Sequence, residues 1–240
     1  MTDKRTGFIK TVFSEVPSTY ELVNHVLTFG LDILWRRRMA KFAAKTGGVR
    51  WIDLCTGTGE TAWNLNRLAP AGTKVFAADF SLPMMREAKK KPGADSIAFT
   101  SADIKNLPFP DNSFDLVTMS FAARNINLSK DVLTTSFAEY HRILKPGGRF
   151  VNLETSRPSF PPLRLGMNLY VRLFVKSVGT LISGSGKGYA YLSKTIPRFY
   201  PPEELAEILR SAGFETVTYK RLLFGIGAIH LADKSLTAEK

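Results

Sequence analysis

The sequence predicts an α/β protein with a mostly parallel β-sheet and helices on both faces of that sheet. Short β-rich runs alternate with helical segments through the middle of the chain, and this alternation is typical of βαβ units. The hydrophobic fraction of 44% can supply a sizeable core for one domain. The predicted strands are residues 49–54, 74–78, 96–100, 116–120 and 149–153, with helices near 60–69, 83–91 and 130–144.

The flanking segments complete one predicted domain over residues 1–240. Residues 8–46 are predicted to be helical, because apolar residues recur at helical spacing until Gly47 and Gly48 interrupt the pattern. A helical insert at 156–200 is the place where a cover over a binding site would lie. The predicted core is 47–155, and the insert contains a helix at 163–181 and a loose stretch at 183–188. The last predicted segment, 201–233, contains a helix at 202–212 and strands at 216–219 and 226–231.

The net charge of +12 is the main compositional signal. Basic residues, such as those at 36–38 and 89–91, are spread along the chain. No helix-turn-helix, zinc-finger or RNA-binding motif accompanies them, so we do not expect nucleic acid as a partner. Two explanations stay open: contact with an anionic membrane surface, and a basic surface that is simply solvated.

Cysteine content and hydropathy predict a cytoplasmic protein. The single cysteine, Cys55, excludes an internal disulfide and fits a reducing compartment. The sequence contains no run of about 18 uncharged apolar residues, so it predicts no transmembrane helix. The first ten residues lack the apolar region of a secretory signal. Peripheral contact with the inner face of the membrane and a homodimeric state are both left open.

The strongest local signal is the segment 51–59 (WIDLCTGTG), in which an apolar strand leads into a glycine-rich turn. Gly57 and Gly59 let the backbone turn sharply and approach a ligand closely, where a Cβ would interfere. The turn alone is ambiguous, because it also satisfies the dinucleotide fingerprint G-x-G-x-x-A. Asp79 follows Gly59 by 20 residues, at the position of a ribose-binding acid. A nicotinamide cofactor is therefore one alternative.

Two further acids favour S-adenosylmethionine. Asp53 ends the first strand, where a carboxylate suits a charged amino acid end and a sulfonium but would repel a pyrophosphate. Asp103 follows the third strand and can accept a hydrogen bond from an adenine amino group, while the Ile104 amide serves a ring nitrogen. Asp79, followed by Phe80, can accept both ribose hydroxyls. Parallel strands end at one edge of a sheet, so the three acids converge on one crevice, although helix capping is an alternative for each.

Two segments resemble the class I methyltransferases in general. They are 107–115 (LPFPDNSFD), before the fourth strand, and 142–148 (RILKPGG), before the fifth. The resemblance implies a Rossmann-like, seven-stranded, mostly parallel sheet with one antiparallel strand at its edge.

A closer resemblance, from about residue 11 to 233, is to the ubiquinone/menaquinone biosynthesis C-methyltransferase family. The motifs that carry it are 31–36 (LDILWR), 120–125 (SFAARN), 153–154 (LE), 189–192 (YAYL), 195–196 (TI) and 225–230 (GIGAIH). The resemblance places Arg124 and Asn125 beside the transferred methyl group. The cofactor contacts that it implies are Thr58, Asp79, Asp103, Ile104 and Ser120.

The chain departs from the usual family sequence at several positions. Glu60 stands where the family usually has Asp, and Ala122 and Ala123 stand where it usually has Gly-Leu. Thr155 stands where the family usually has Phe, and glycines and a lysine at 184–188 replace acidic residues before the tyrosine motif. These changes leave the cofactor motif in place and leave the identity of the quinone open.

The family resemblance implies methylation of a reduced polyprenyl quinone precursor at carbon, as in demethylmenaquinol or a related benzoquinol. The enzyme must hold the ring carbon in line with the sulfonium methyl and help to remove a proton. Arg124 stays protonated, so it can orient or polarise the phenolic oxygen of the substrate. The alternative is that Arg124 forms a structural salt bridge. Asn125 can fix an activating water. Tyr191 is a candidate substrate contact, and His230 is either a core histidine or a catalytic residue.

No metal is expected, because His25, His141 and His230 are isolated in the sequence and show no ligand spacing. Another lipophilic acceptor, such as a sterol, a phospholipid amine or an isoprenoid, is an alternative substrate. The insert helix at 163–181 combines apolar and basic residues. It is therefore either a lid that touches anionic lipid or an ordinary packed helix.

Overall fold

The computed structural model describes residue 7 and residues 17–236, with a seven-stranded sheet at its centre. The strands are β1 (Arg50–Leu54), β2 (Lys74–Asp79), β3 (Ile97–Ser101), β4 (Phe114–Ser120), β5 (Leu144–Thr155), β6 (Thr216–Leu222) and β7 (Gly227–Asp233). Their order in the sheet is β3-β2-β1-β4-β5-β7-β6. The predicted seven-stranded, mostly parallel sheet is confirmed.

The antiparallel strand is not where the sequence placed it. Neighbouring strands from β3 to β5 are parallel, whereas β7 runs antiparallel to both β5 and β6. The predicted edge position is therefore wrong, since β7 lies one strand inside the edge. The cause is that β6 and β7 form a hairpin, and this hairpin joins β5 through its second strand.

Helices cover both faces of the sheet. They are α1 (Pro17–Leu27), α2 (Leu31–Ala44), α3 (Glu60–Leu68), α4 (Leu82–Ala88), α5 (Ala123–Ile126), α6 (Lys130–Ile143), α7 (Pro161–Tyr170), α8 (Lys176–Ser183), α9 (Gly186–Thr195) and α10 (Pro202–Ser211). Successive side chains of a strand point to opposite faces. Accordingly, Phe150 packs with Phe137 of α6 in one buried cluster, and Val151 packs with Trp35 of α2 in another.

The predicted N-terminal helical segment is divided into two helices in its described part, while residues 8–16 lie outside the described residues. The break between α1 and α2 contains Phe29 (φ 52°) and Gly30 (φ 75°). Two successive left-handed residues cannot continue a right-handed helix. The chain therefore turns, and α2 packs on the sheet while α1 lies toward the insert.

The insert is helical from residue 161 to 183, with a π-helical segment (Val171–Val175) between α7 and α8. The predicted loose stretch at 183–188 is wrong for most of its length, because α9 begins at Gly186. Tyr189 of α9 and Met167 of α7 pack with Val23 of α1 in a third buried cluster. No helix in the described part of the chain has the length and apolar content to span a bilayer.

Candidate active site

The glycine-rich loop after β1 packs tightly against α4. Gly59 has φ 78°, and a Cβ at this position would lie 2.7 Å from the Cβ of Ala88. Gly57 has φ 54°, and a Cβ there would meet nothing within 4 Å, so the loop leaves open space at this position. Gly59 therefore requires glycine for close packing, whereas Gly57 is favoured by its positive φ and leaves room for a ligand.

Asp79, at the end of β2, holds this loop in place. Its Oδ2 accepts a hydrogen bond from the Gly57 N–H at 2.8 Å, and its Oδ1 accepts one from the Ser81 N–H at 2.8 Å. Burial raises the pKa of the Asp79 carboxyl, and backbone N–H donors, including that of Phe80, oppose the rise. Each oxygen keeps a lone pair that can accept from a ligand.

A cavity of about 110 Å³, the cofactor cavity below, lies over the ends of β1, β2 and β4. The structure brings most of the sequence-predicted cofactor residues to its wall. They are Gly57, Thr58, Asp79, Phe80, Asp103, Ile104 and Ser120, and Asn125 joins them. Gly59 supports the loop from beneath and does not line the cavity.

Asp53 also lies beneath the loop. It is 1% exposed, and its carboxylate accepts hydrogen bonds from the Thr56 and Thr118 hydroxyls, each at 2.7 Å. Burial raises the pKa of Asp53 to about 6, while these two hydrogen bonds oppose the rise. The predicted direct contact with the charged end of the cofactor does not match this placement, because the strand end is covered by its own loop. Asp53 instead fixes Thr56, which lines the cavity.

A second, largely apolar cavity of about 350 Å³, the apolar cavity below, lies between α1, α2 and the insert. Its apolar wall is formed by Leu27, Phe29, Leu31, Trp35, Met167, Tyr170, Val171, Val175, Leu192, Ile196, Leu223 and Ile226. Three side chains line both cavities: Tyr20, Arg36 and Phe121. We refer to these three as the junction residues.

Arg36 is the centre of this junction. It is 6% exposed, donates to the Ser120 hydroxyl at 2.6 Å, and lies 3.2 Å from Glu60 Oε2 through its Nε. Its guanidinium also stacks over the Phe121 ring at 4.8 Å. Sequence reasoning counted Arg36 among the dispersed basic residues and missed its role. Only its spacing from the buried Trp35 and Met39 of α2 could have indicated burial.

Comparison with known proteins identifies the family of this chain. The ubiE/COQ5 methyltransferase family model matches residues 1–234. The chain belongs to that family. It is therefore an S-adenosylmethionine-dependent methyltransferase, which confirms the predicted cofactor over the nicotinamide alternative.

Curated relatives of this methyltransferase match nearly its full length. It is 40% identical to a demethylmenaquinone methyltransferase of Thermus thermophilus over 93% of this chain and 100% of that protein. It is 36% identical to the ubiquinone/menaquinone biosynthesis C-methyltransferase UbiE of Desulfotalea psychrophila, over 92% and 88%.

Solved structures share the fold at lower identity. An S-adenosylmethionine-dependent methyltransferase of Thermotoga maritima aligns with a TM-score of 0.58 at 20% identity, over 90% of this chain and 98% of that one. The CurJ carbon methyltransferase aligns with a TM-score of 0.58 at 19% identity, over 79% and 49%. Both confirm the Rossmann-like fold.

Arg124 and Asn125 of the methyltransferase lie on either side of the boundary between the cavities. Arg124 lines the apolar cavity and donates to Glu154 Oε1 at 2.8 Å, in an ion pair that is buried on both sides. Asn125 lines the cofactor cavity, and its Oδ1 is buried with no hydrogen-bond partner among the described residues. Arg124 therefore has the structural salt bridge foreseen as its alternative role, and it also faces the apolar cavity.

The structure does not bring Tyr191 and His230 to the wall of either cavity. His230 is 1% exposed, its Nε2 lies 2.9 Å from the Pro202 carbonyl oxygen, and burial lowers its pKa to about 4. It also packs against Tyr219 of β6, so its placement favours the core alternative. Tyr191 is half-buried on α9.

His25 lies close to two carboxylates, Asp32 and Glu60, although the sequence shows no ligand spacing around it. Its Nε2 lies 3.7 Å from Glu60 Oε1, and its Nδ1 lies 2.9 Å from Asp32 Oδ2. Single atoms of Glu21, His25 and Glu60 all lie within 4.8 Å of one another. Each is engaged by another group, as when Glu21 pairs with Lys91 at 2.7 Å, and we assign no metal ion to them.

Proposed function

We propose that this methyltransferase transfers a methyl group to a ring carbon of a reduced polyprenyl quinone precursor, such as demethylmenaquinol or a related benzoquinol. The observation that carries the proposal is the apolar cavity of about 350 Å³, which meets the cofactor cavity at the junction residues. A polar head group can reach the junction while a polyprenyl tail occupies the apolar wall. The relatives named as a demethylmenaquinone methyltransferase and as a ubiquinone/menaquinone biosynthesis C-methyltransferase support this substrate class.

The residues of the cofactor cavity fit S-adenosylmethionine. The open space at Gly57 accepts a ligand against the loop, and the free lone pairs of Asp79 suit two ribose hydroxyls. Asp103 is exposed at the cavity wall and suits the adenine amino group, with the Ile104 amide on a ring nitrogen. Thr58 and Ser120 complete the proposed contacts. When bound, the cofactor supplies an electrophilic methyl group on a sulfonium sulfur.

Arg124 and Asn125 are the proposed catalytic residues. Arg124 is held by Glu154, so its guanidinium is placed to orient and polarise the phenolic oxygen of the substrate. The unpaired Oδ1 of Asn125 can hold the water that receives the phenolic proton. As that proton leaves, the ring becomes nucleophilic at carbon and attacks the methyl group.

The outer surface of the insert is the proposed contact with an anionic membrane. We define its outer apolar face as Leu165, Leu169, Leu173, Phe174 and Leu181, whose exposed fractions range from 48% to 86%. The exposed Arg172 and Lys176 lie on the same segments. Phe29, which is 82% exposed, lines the apolar cavity at its rim. A lipid surface would thus meet the protein where a polyprenyl tail enters.

Turnover of a short-tailed demethylmenaquinol tests the function. An oxidised quinone ring is electron-poor and cannot attack an electrophilic methyl group, so we expect methylation with dithionite and none without it. A sterol and a phospholipid amine serve as competing acceptors in parallel reactions. Methylation of either of these in preference to the quinol, or equal turnover of the oxidised quinone, would contradict the proposal.

A further inference from the structure

A row of titratable side chains runs from the cofactor cavity to the protein surface. Glu60 lines the cavity beside the junction residue Arg36. Its other oxygen, Oε1, lies 3.7 Å from His25 Nε2, a separation that one bridging water or a small side-chain rotation can close. The His25 side chain is 28% exposed, so its ring connects the cavity wall to solvent.

Asp32 fixes the state of the His25 ring. Its carboxylate is buried, lies 2.9 Å and 3.1 Å from His25 Nδ1 through its two oxygens, and accepts a hydrogen bond from the Thr28 hydroxyl at 2.7 Å. A carboxylate at Nδ1 holds a proton on that nitrogen. Nε2 is therefore the ring nitrogen that faces Glu60 and can exchange a proton with it.

Methylation at carbon requires an exit for one proton. The new carbon–carbon bond forms as the methyl–sulfur bond breaks, and the electron pair of that bond stays on sulfur. The ring then loses the proton from the methylated carbon and regains its aromatic electrons, and the phenolic oxygen takes back the proton that it gave to water, so each turnover releases one proton net and changes no oxidation state of the enzyme. Among the described residues that line the apolar cavity, none is a solvent-exposed base that could take this proton.

We propose that Glu60 accepts this proton at the cavity wall and that His25, oriented by Asp32, passes it to solvent. The proposal rests on the proposed function. Glu60 would contact the substrate or a water bound to it, whereas His25 and Asp32 are positioning residues that act through Glu60. In chemical terms, the proton moves from the reaction centre to Oε1 of Glu60, then to Nε2 of His25, and then to water.

The charged surroundings suit a transient proton acceptor. Burial raises the pKa of the Glu60 carboxyl, as do Glu21 of α1 and Asp32 of α2, while Arg36 and His25 oppose the rise. Glu21 is neutralised by Lys91, which follows α4. A carboxyl with a raised pKa takes up a proton more readily than an exposed one.

Single-turnover rates of formation of the aromatic methylated quinol test the relay in variants of His25 and Glu60. His25→Ala and Glu60→Gln should each slow the formation of this product at least tenfold, within the range of proton-transfer assistance, and should leave the cofactor dissociation constant, measured by calorimetry, within about twofold. Added imidazole should restore the rate of His25→Ala, and a merely structural role would not respond to it. The control Glu87→Gln removes a carboxylate that pairs with Lys90 outside the relay, and it should retain the rate.

The outcomes separate the relay from the function. If the wild-type protein does not methylate the quinol, the proposed function fails, and the same variants are measured with the acceptor that it does methylate. If the wild type is active, an unchanged rate in His25→Gln, which keeps polar atoms for Asp32 but cannot pass a proton, overturns the relay. If imidazole does not restore the lost rate of His25→Ala, the relay is also overturned. The same holds if a chelator abolishes the rate of the wild type and a divalent metal recovers it.

Discussion

The cofactor cavity and the apolar cavity are built in different ways. Backbone N–H groups of a loop and of a helix start fix the cofactor cavity, because they bind Asp79 at the end of a strand. The apolar cavity is instead enclosed by side chains of α1, α2, the insert and the turn before β7, which are far apart in sequence. A local motif therefore specifies one half of the site, whereas packing between distant segments specifies the other.

The largest expected effect lies at the boundary between the two halves. Arg124→Ala should lower kcat by about 10²–10⁴-fold, and it should also destabilise the fold by about 3–5 kcal/mol, because Glu154 is left as an unpaired buried charge. The double variant Arg124→Leu with Glu154→Gln removes both charges and should recover stability in urea unfolding while staying inactive. Recovered activity in the double variant would assign Arg124 to structure alone.

Within the cofactor half, Asp53 should act on stability rather than on binding. Its folded-state pKa of about 6 exceeds the ordinary value of 3.8, so its contribution to stability is fully present below pH 3.8 and is lost as the pH rises through 6. The difference corresponds to about 3 kcal/mol at 1.36 kcal/mol per unit. In Asp53→Asn this decline should disappear from the free energy of unfolding measured between pH 4 and pH 7. A large loss of cofactor affinity in the same variant would restore the direct contact predicted from the sequence.

In contrast to Asp53, Asp79 should act on cofactor binding. Asp79→Ala removes the acceptor for two ribose hydroxyls, and a hydrogen bond to a charged group contributes about 1.5–3 kcal/mol, so cofactor affinity should fall tenfold or more. Calorimetry measures the change, with Asp95→Ala on the exposed turn before β3 as the control. Unchanged affinity in folded Asp79→Ala would remove the assignment of the site.

The smallest expected effect concerns the outer apolar face of the insert. Arg172→Glu with Leu173→Glu should weaken co-sedimentation with anionic vesicles, by about 1 kcal/mol for each basic charge lost, and added salt should weaken the wild type similarly. Leu236→Glu changes an exposed leucine away from the insert and should have little effect. Equal and negligible binding of the wild type to anionic and neutral vesicles would show that the insert is an ordinary packed helix.

The strand ends and their acids could be predicted from the sequence, because strand, turn and acid are neighbours in the chain there. Asp79 and Asp103 lie where the alternation placed them. The role of Asp53 could not be predicted, since it depends on the hydroxyl of Thr118, which is 65 residues away. Likewise, the run Arg36 to Arg38 does not by itself distinguish the buried first arginine from its exposed neighbours, because the difference arises from the packing of α2 on the sheet.

The substrate half was predicted least well from the sequence, because its contacts also join residues that are far apart in the chain. The helical character of 163–181 follows from local spacing, but the packing of Tyr189 against α1 does not. His25 and Asp32 come together only because the chain turns at Phe29 and Gly30, a feature that the continuous helical pattern concealed. The position of β7 depends on which hairpin strand meets β5, and hydropathy does not encode this choice.

We expect the junction residues to couple ligand binding in the two cavities, because they line both. A ligand in either cavity contacts the same three side chains, and Phe121 holds a left-handed backbone conformation (φ 55°) between them. A ligand in one cavity that orders Tyr20, Arg36 and Phe121 reduces the conformational entropy that a ligand in the other cavity must still remove from these side chains. Cooperativity of this kind is reciprocal, so any factor by which the cofactor tightens the hold on substrate must equal the factor by which substrate tightens the hold on cofactor.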